Sequence, residues 1–130
     1  DAMAVDSDFD TIARQYTSGF NDIFSKGLTV IKDFTGRWNS VEWAAVACYL
    51  TFLSVIPDSH ITRKYGAVMA EQVSKEAAVI TDQFVKNNNP ENAVDDLLAF
   101  DGDLKKRRIN PGTSADLCAA SILAYKLANS

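Results

Sequence analysis

An all-α bundle of about six or seven helices is the fold this sequence predicts, and three observations predict it. Apolar residues recur at three- and four-residue spacing through most of the chain, the period of a helix buried along one side. Helix-stopping and helix-starting residues separate those stretches, at Gly36 to Asn39, Pro57-Asp58, Asn87 to Pro90 and Pro111-Gly112. No stretch alternates convincingly as a strand would. The 130 residues suit a single all-helical domain with one core.

The first helix is expected to start at the capping residues Asp6-Ser7-Asp8. Phe9, Ile12, Ala13, Tyr16, Phe20, Ile23 and Phe24 then form its apolar stripe. Gly19 and Gly27 lower its propensity, so a bend or break is expected near Lys26 before Leu28 and Ile31 resume the stripe. Arg14 and Gln15 lie off the stripe, and Arg14 reads equally as a solvated surface cation or as a functional contact. Gly36 is expected to end this helix, and Asn39 to cap the next with Glu42 completing a capping box.

From Val41 to Ile56 the only charge is Glu42, so that helix is apolar on every side and surrounded by others. It spans about sixteen residues against the roughly twenty that cross a bilayer, and it carries Thr51 and Ser54. A buried central helix is therefore expected, with no membrane span. Pro57 closes it, because the residue before a proline is driven out of the helical region.

Asp58, Ser59, His60, Thr62, Arg63 and Lys64 follow at once, with Gly66 ending the polar segment. The buried helix holds this segment at a fixed place. It reads equally as an anchored site or as a hydrophilic loop in which Asp58 caps a short helical turn. His60 alone is given no role.

Ala67 to Val85 carries Met69, Val73, Ala77, Ile80 and Phe84 on one face, with Glu71–Lys75 and Asp82–Lys86 pairs on the other. After Asn87 to Asn89, Pro90 opens a helix bearing Ala93, Leu97, Phe100 and Leu104, which Asp101-Gly102-Asp103 is expected to kink or end. Lys105 to Arg108 then form the one strong basic cluster, either a solvated helix end or the lip of a phosphate site. The last helix begins at Pro111-Gly112, capped by Thr113 or Ser114, and runs through Leu117, Ile122 and Leu127. Its N-terminus reads as an ordinary capped end or as an anion site, since unpaired N–H groups and the positive dipole end suit a phosphate.

The composition, 47% apolar and 23% charged, is that of a soluble globular protein, and the formal charge of −4 argues against a nucleic-acid binder. Cys48 and Cys118 stand in apolar helical runs without Cys-x-x-Cys spacing, which predicts buried reduced thiols and a cytoplasmic setting. No stretch of these residues has the pattern of a secretory leader, a glycine-rich nucleotide loop, a nucleophile elbow or a Ca²⁺ loop, although a fragment could have lost a leader.

Asn110-Pro111-Gly112-Thr113-Ser114-Ala115-Asp116-Leu117 resembles the Pro-Gly-(Gly/Thr)-(Ser/Thr)-Ala-Asp-Leu signature of the triphosphoribosyl-dephospho-CoA synthase family. Pro57 to Gly66 resembles that family's Asp-Thr-x-Ile-x-Arg-(Lys/Arg)-x-Gly segment, and Ile12 to Tyr16 with Gly19-Phe20 is a looser third match. The Asn-Pro-Gly-Thr wording resembles a divergent branch. Members are longer and carry an N-terminal Lys-Pro-Gly segment and a His/Asp motif that do not occur here. The resemblance therefore implies the C-terminal portion of a larger enzyme, completed by an N-terminal half or a second subunit.

The activity the resemblance implies is transfer of the triphosphoribosyl group of ATP to a ribose 2′-hydroxyl of a dephospho-CoA-like acceptor, with release of adenine. ATP is the donor and Mg²⁺ the expected companion ion. On that reading Arg63, Lys64, Asn110, Gly112, Thr113 and Ser114 bind nucleotide phosphates, aided by the backbone N–H groups of Gly112 to Ala115. Asp58 and Asp116 are the catalytic candidates, as general base or metal ligand; the metal site itself is unassigned. The Asp58 to Gly66 and Asn110 to Asp116 segments are expected at a common end of the bundle. The rival reading is a non-catalytic helical interaction module or an inactive fragment of such an enzyme.

Overall fold

The computed structural model describes residues 20–129, with side chains from Ser25 onward. Those residues form six α-helices and a 3₁₀ turn, with no strand among them, as the apolar periodicity predicts. The helices are α1 (Phe20–Trp38), α2 (Val41–Val55), α3 (Ser59–Tyr65), α4 (Ala67–Val85), α5 (Val94–Lys106) and α6 (Gly112–Ala128); the 3₁₀ turn, Pro90–Ala93, leads into α5. The expected helix from Asp6 to Tyr16, with Arg14 and Gln15, lies outside the described residues.

The central helix is α2, which packs against α1, α4 and α6. Its Ala44, Ala47, Cys48, Leu50, Phe52 and Leu53 are all buried, the pattern expected of a helix apolar on every side. Leu53 has no exposed surface, and burying such a side chain contributes about 2 kcal/mol. Around it Ile61, Val73 and Leu104 fill one side of the core, Ile31 and Leu117 another, and Phe84 with Ala93 the end near the α1–α2 connection. No single helix among the described residues is long and apolar enough to cross a membrane.

Three boundaries away from the α6 N-terminus differ from the sequence expectation. α1 runs unbroken through Gly27 and Gly36 to Trp38. Gly27 is a contact residue rather than a helix breaker: a Cβ there would collide with Ser121 Oγ and stand 2.9 Å from Phe52 Cζ. Glycine lets α1 approach α2 and α6 closely. Gly27→Ala is therefore expected to destabilise the protein by about 1–3 kcal/mol despite alanine's better helix propensity, read by urea unfolding.

At the next boundary Asn39 does not cap α2; it takes the left-handed conformation, φ 52°, that ends α1. Ser40 is the cap, accepting the Trp43 N–H at 3.1 Å, so the expected Asn39–Glu42 capping box does not form. Lastly, α5 continues through Asp101-Gly102-Asp103, where Asp101 pairs with Lys105 at 2.7 Å and Asp103 with Arg107 at 2.8 Å. Carboxylates four residues before cations support a helix instead of ending it.

The far end of the bundle is tied by α1. Arg37 donates to the carbonyls of Val85 and Asn87, at 2.6 and 3.1 Å, and Trp38 Nε1 donates to Asn87 O at 3.0 Å. These donors satisfy carbonyls that the C-terminus of α4 leaves exposed. Cys48 and Cys118 are reduced and buried between α2 and α6. The neighbouring Cys118 thiol and burial push the Cys48 thiol well above its ordinary pKa, so it stays protonated and inert.

Candidate functional site

Pro57 ends α2 and leaves Asp58 as the first residue of a new direction. Its side chain is 1% exposed, and both carboxylate oxygens are engaged. Oδ1 accepts the N–H groups of His60 and Ile61, at 2.9 and 3.3 Å, which makes Asp58 the N-cap of α3. Oδ2 accepts the N–H of Ser114 at 2.8 Å and its hydroxyl at 2.9 Å, in the first turn of α6.

One carboxylate thus caps two helices 56 positions apart in the chain. The N-terminal dipole ends of α3 and α6 converge on the negative charge, and four hydrogen bonds satisfy its acceptor sites. A second link lies beside the first, between the hydroxyls of Ser59 and Thr113. The two segments are joined at one end of the bundle, as the sequence leads one to expect. The charge of Asp58 also reaches Tyr49, whose hydroxyl is pushed up to about 12 by burial first and by Asp58 and Asp101 next.

This junction changes the reading of the α6 N-terminus. No side chain of its own caps it: Pro111 stands at the N-cap position, and Thr113 and Ser114 lie inside the first turn. Their side chains are buried, at 4% and 2% exposure, and their hydroxyls face Ser59 and Asp58. The Gly112 N–H donates to Asn110 O at 2.9 Å, and the Ala115 N–H donates to Pro111 O at 3.1 Å. An anion does sit on this helix, but it is the protein's own Asp58. Gly112 is covered as well, since a Cβ on it would come within 2.8 Å of His60 Nδ1.

What faces solvent lies on the other side of α3. A cavity of about 260 Å³ is lined by His60, Arg63, Lys64, Tyr65, Arg108 and Asn110 over the side chain of Ile61. Arg63 Nη2 is 3.5 Å from His60 Nδ1, and Lys64 Nζ stands 5.4 Å from the centre of the Tyr65 ring. Three cations, a histidine and an amide thus converge on a space large enough for several phosphate oxygens. Arg63, Lys64 and Asn110 are assembled there. Gly112, Thr113 and Ser114 stand behind them in the supporting layer.

The basic run after Leu104 divides. Lys105 pairs with Asp101, and Arg107 pairs with Glu76 and Asp103, both at 2.8 Å, so these two brace α5 and α4. Arg108 lines the cavity, and single-residue reasoning could not separate it from its neighbours. The available signal was Tyr65, an aromatic at the end of α3, whose hydroxyl reaches the Arg107-Arg108 backbone.

The second carboxylate behaves differently. Asp116 is exposed on α6, four residues after Gly112, and so shares the helix face that His60 covers. Among the described residues no group of three or more His, Cys, Asp or Glu could hold a metal ion. With all acceptor sites of Asp58 taken, those residues do not fit a protein-built Mg²⁺ cage.

The chain matches, over residues 1–130, the family model CitG, described as ATP:dephospho-CoA triphosphoribosyl transferase. No curated protein and no solved structure gives a significant match. The family match covers the whole length, and the chain belongs to that family.

Proposed function

We propose that this member of the ATP:dephospho-CoA triphosphoribosyl transferase family binds the triphosphate of ATP in the cavity between α3 and the α5–α6 turn. There it serves transfer of the triphosphoribosyl group to a ribose 2′-hydroxyl of a dephospho-CoA-like acceptor. The observation that carries this reading is the convergence of Arg63, Lys64, Arg108 and Asn110 on one cavity beside the α3–α6 junction. In a chain with a net charge of −4, three of the thirteen lysines and arginines line this one cavity, and a polyanion is what such a cluster recognises.

In the reaction the bond between the anomeric carbon and adenine breaks, with the electron pair leaving on the base. The acceptor oxygen bonds to the anomeric carbon and gives up its proton. Between those events the sugar carries positive charge, and fixed charges around the triphosphate hold the donor while this develops. The cationic side chains bind and orient the donor, and the Asp58 junction keeps α3 and α6 in register beneath it. Asp116, the exposed carboxylate of the pair, takes the acceptor proton. Mg²⁺ arrives with ATP on its phosphate oxygens, as substrate.

Arg63→Ala is expected to weaken ATP–Mg²⁺ binding at least about tenfold in titration calorimetry while leaving the melting temperature within a degree or two. Unchanged affinity would remove Arg63 from the cradle. Adenine release with dephospho-CoA then tests the transfer itself.

A second reading rests on a different surface. Val46, Tyr49, Leu97, Leu98 and Phe100 line an apolar groove of about 420 Å³ between α2 and α5, and Leu98 is 63% exposed. Such a surface suits contact with another helix, from a second subunit or a further part of the enzyme. Sedimentation showing self-association that ATP does not alter would favour it.

A further inference from the structure

The end of α5 has a conformation that normally calls for glycine. Arg107 is the C-cap, Arg108 follows with φ 58°, and the next residue turns back onto the helix. The Ile109 N–H donates to Leu104 O at 2.8 Å and the Arg108 N–H to Lys105 O at 3.0 Å, while buried Leu104 and Ile109 belong to the same core cluster. This is the Schellman pattern, in which the left-handed position is usually glycine because a Cβ there costs roughly 1–2 kcal/mol.

An arginine therefore occupies the one position of the turn where any side chain is disfavoured. The molecule braces it from outside: Tyr65 donates its hydroxyl to Arg108 O at 2.7 Å, with Arg107 O 3.3 Å away. Tyr65 ends α3 directly after Arg63 and Lys64, and Gly66, at φ 95°, turns the chain away behind it. The same residue that fixes the arginine backbone thus belongs to the helix carrying the other two cations. Among the described residues Arg108 makes no ion pair, whereas Arg107 beside it makes two. Strain retained at a cavity lining, with a dedicated brace, points to a side chain kept for ligand binding.

We propose that Arg108 is a phosphate-gripping residue of this cavity and that Tyr65 is its positioning residue. The inference rests on the anion-site reading above and adds two residues to it. Arg108 lines the same cavity as Arg63 and Lys64 but from the α5–α6 turn, so its side chain would give a polyphosphate a third cation from a second element. Glycine at 108 would relax the turn and lose the ligand contact. Stability and binding should then move in opposite directions, which a merely structural arginine would not produce.

The test is titration of inorganic tripolyphosphate into the 130-residue chain, with thermal melts of each variant. Arg108→Gly is expected to melt about 2–4 °C above the parent and to bind tripolyphosphate at least about tenfold more weakly. Tyr65→Phe should weaken binding about three- to tenfold, and should add nothing further in the Arg108→Gly background. Binding that survives Arg108→Gly but is lost in Arg63→Ala would overturn the role of Arg108 and leave the site reading standing. A Tyr65→Phe effect that persists in the Arg108→Gly background would overturn the positioning role. No tripolyphosphate binding by the parent chain would overturn the site reading and this inference together.

Discussion

Asp58→Asn is expected to lower the free energy of unfolding by about 3 kcal/mol, seen as a fall of roughly 10 °C in melting temperature. The carboxylate accepts on both sides, from His60 and Ile61 through one oxygen and from Ser114 through the other. An asparagine has only one acceptor oxygen. Whichever way its amide is turned, an NH₂ group faces N–H donors of α3 or α6, so the first turn of one helix loses its cap and meets a donor instead. Because the position is 1% exposed, water cannot substitute without opening the junction. Ser114→Ala, which removes a single hydroxyl donor, should cost about 1 kcal/mol and calibrates the comparison. An Asp58→Asn protein that melts with the parent and loses only turnover would return this carboxylate to the chemistry.

The junction also marks the limit of what residue order can disclose. Helix α2 was legible because a run without charges has only one economical place, inside other helices. The joining of the Asp58 and Asn110 segments was expected because both resemble motifs of one family, not because residue type alone pairs them. Which groups face which was not. A helix N-terminus is recognisable from Pro111-Gly112 onward, but whether a phosphate or a distant carboxylate occupies it depends on a partner 56 positions away. The same holds for Gly27, which weakens a helix in isolation yet permits the close approach of α1 to Ser121 and Phe52. It holds again for Lys105 to Arg108, where identical charges are parted by Asp101, Glu76 and Asp103, and by one left-handed residue.

Asp116→Asn is expected to leave melting and ATP affinity unchanged while cutting turnover at least about 100-fold, the scale on which a lost general base is felt. Asp116 is exposed, so its replacement removes no buried partner and should stay within about 0.5 kcal/mol of the parent. The two carboxylates are thereby sorted by what surrounds them. A base must exchange a proton with substrate and then with solvent, which an exposed side chain on the Gly112 face can do. A carboxylate holding four donors can accept a proton only by releasing a helix cap. Measured together, the pair gives a crossed result: stability lost at Asp58, turnover lost at Asp116. The reverse pattern would exchange the assignments, and an active Asp116→Asn enzyme would leave the acceptor proton to a group that lines the cavity, as Asp116 does not; of those, His60 has the suitable chemistry.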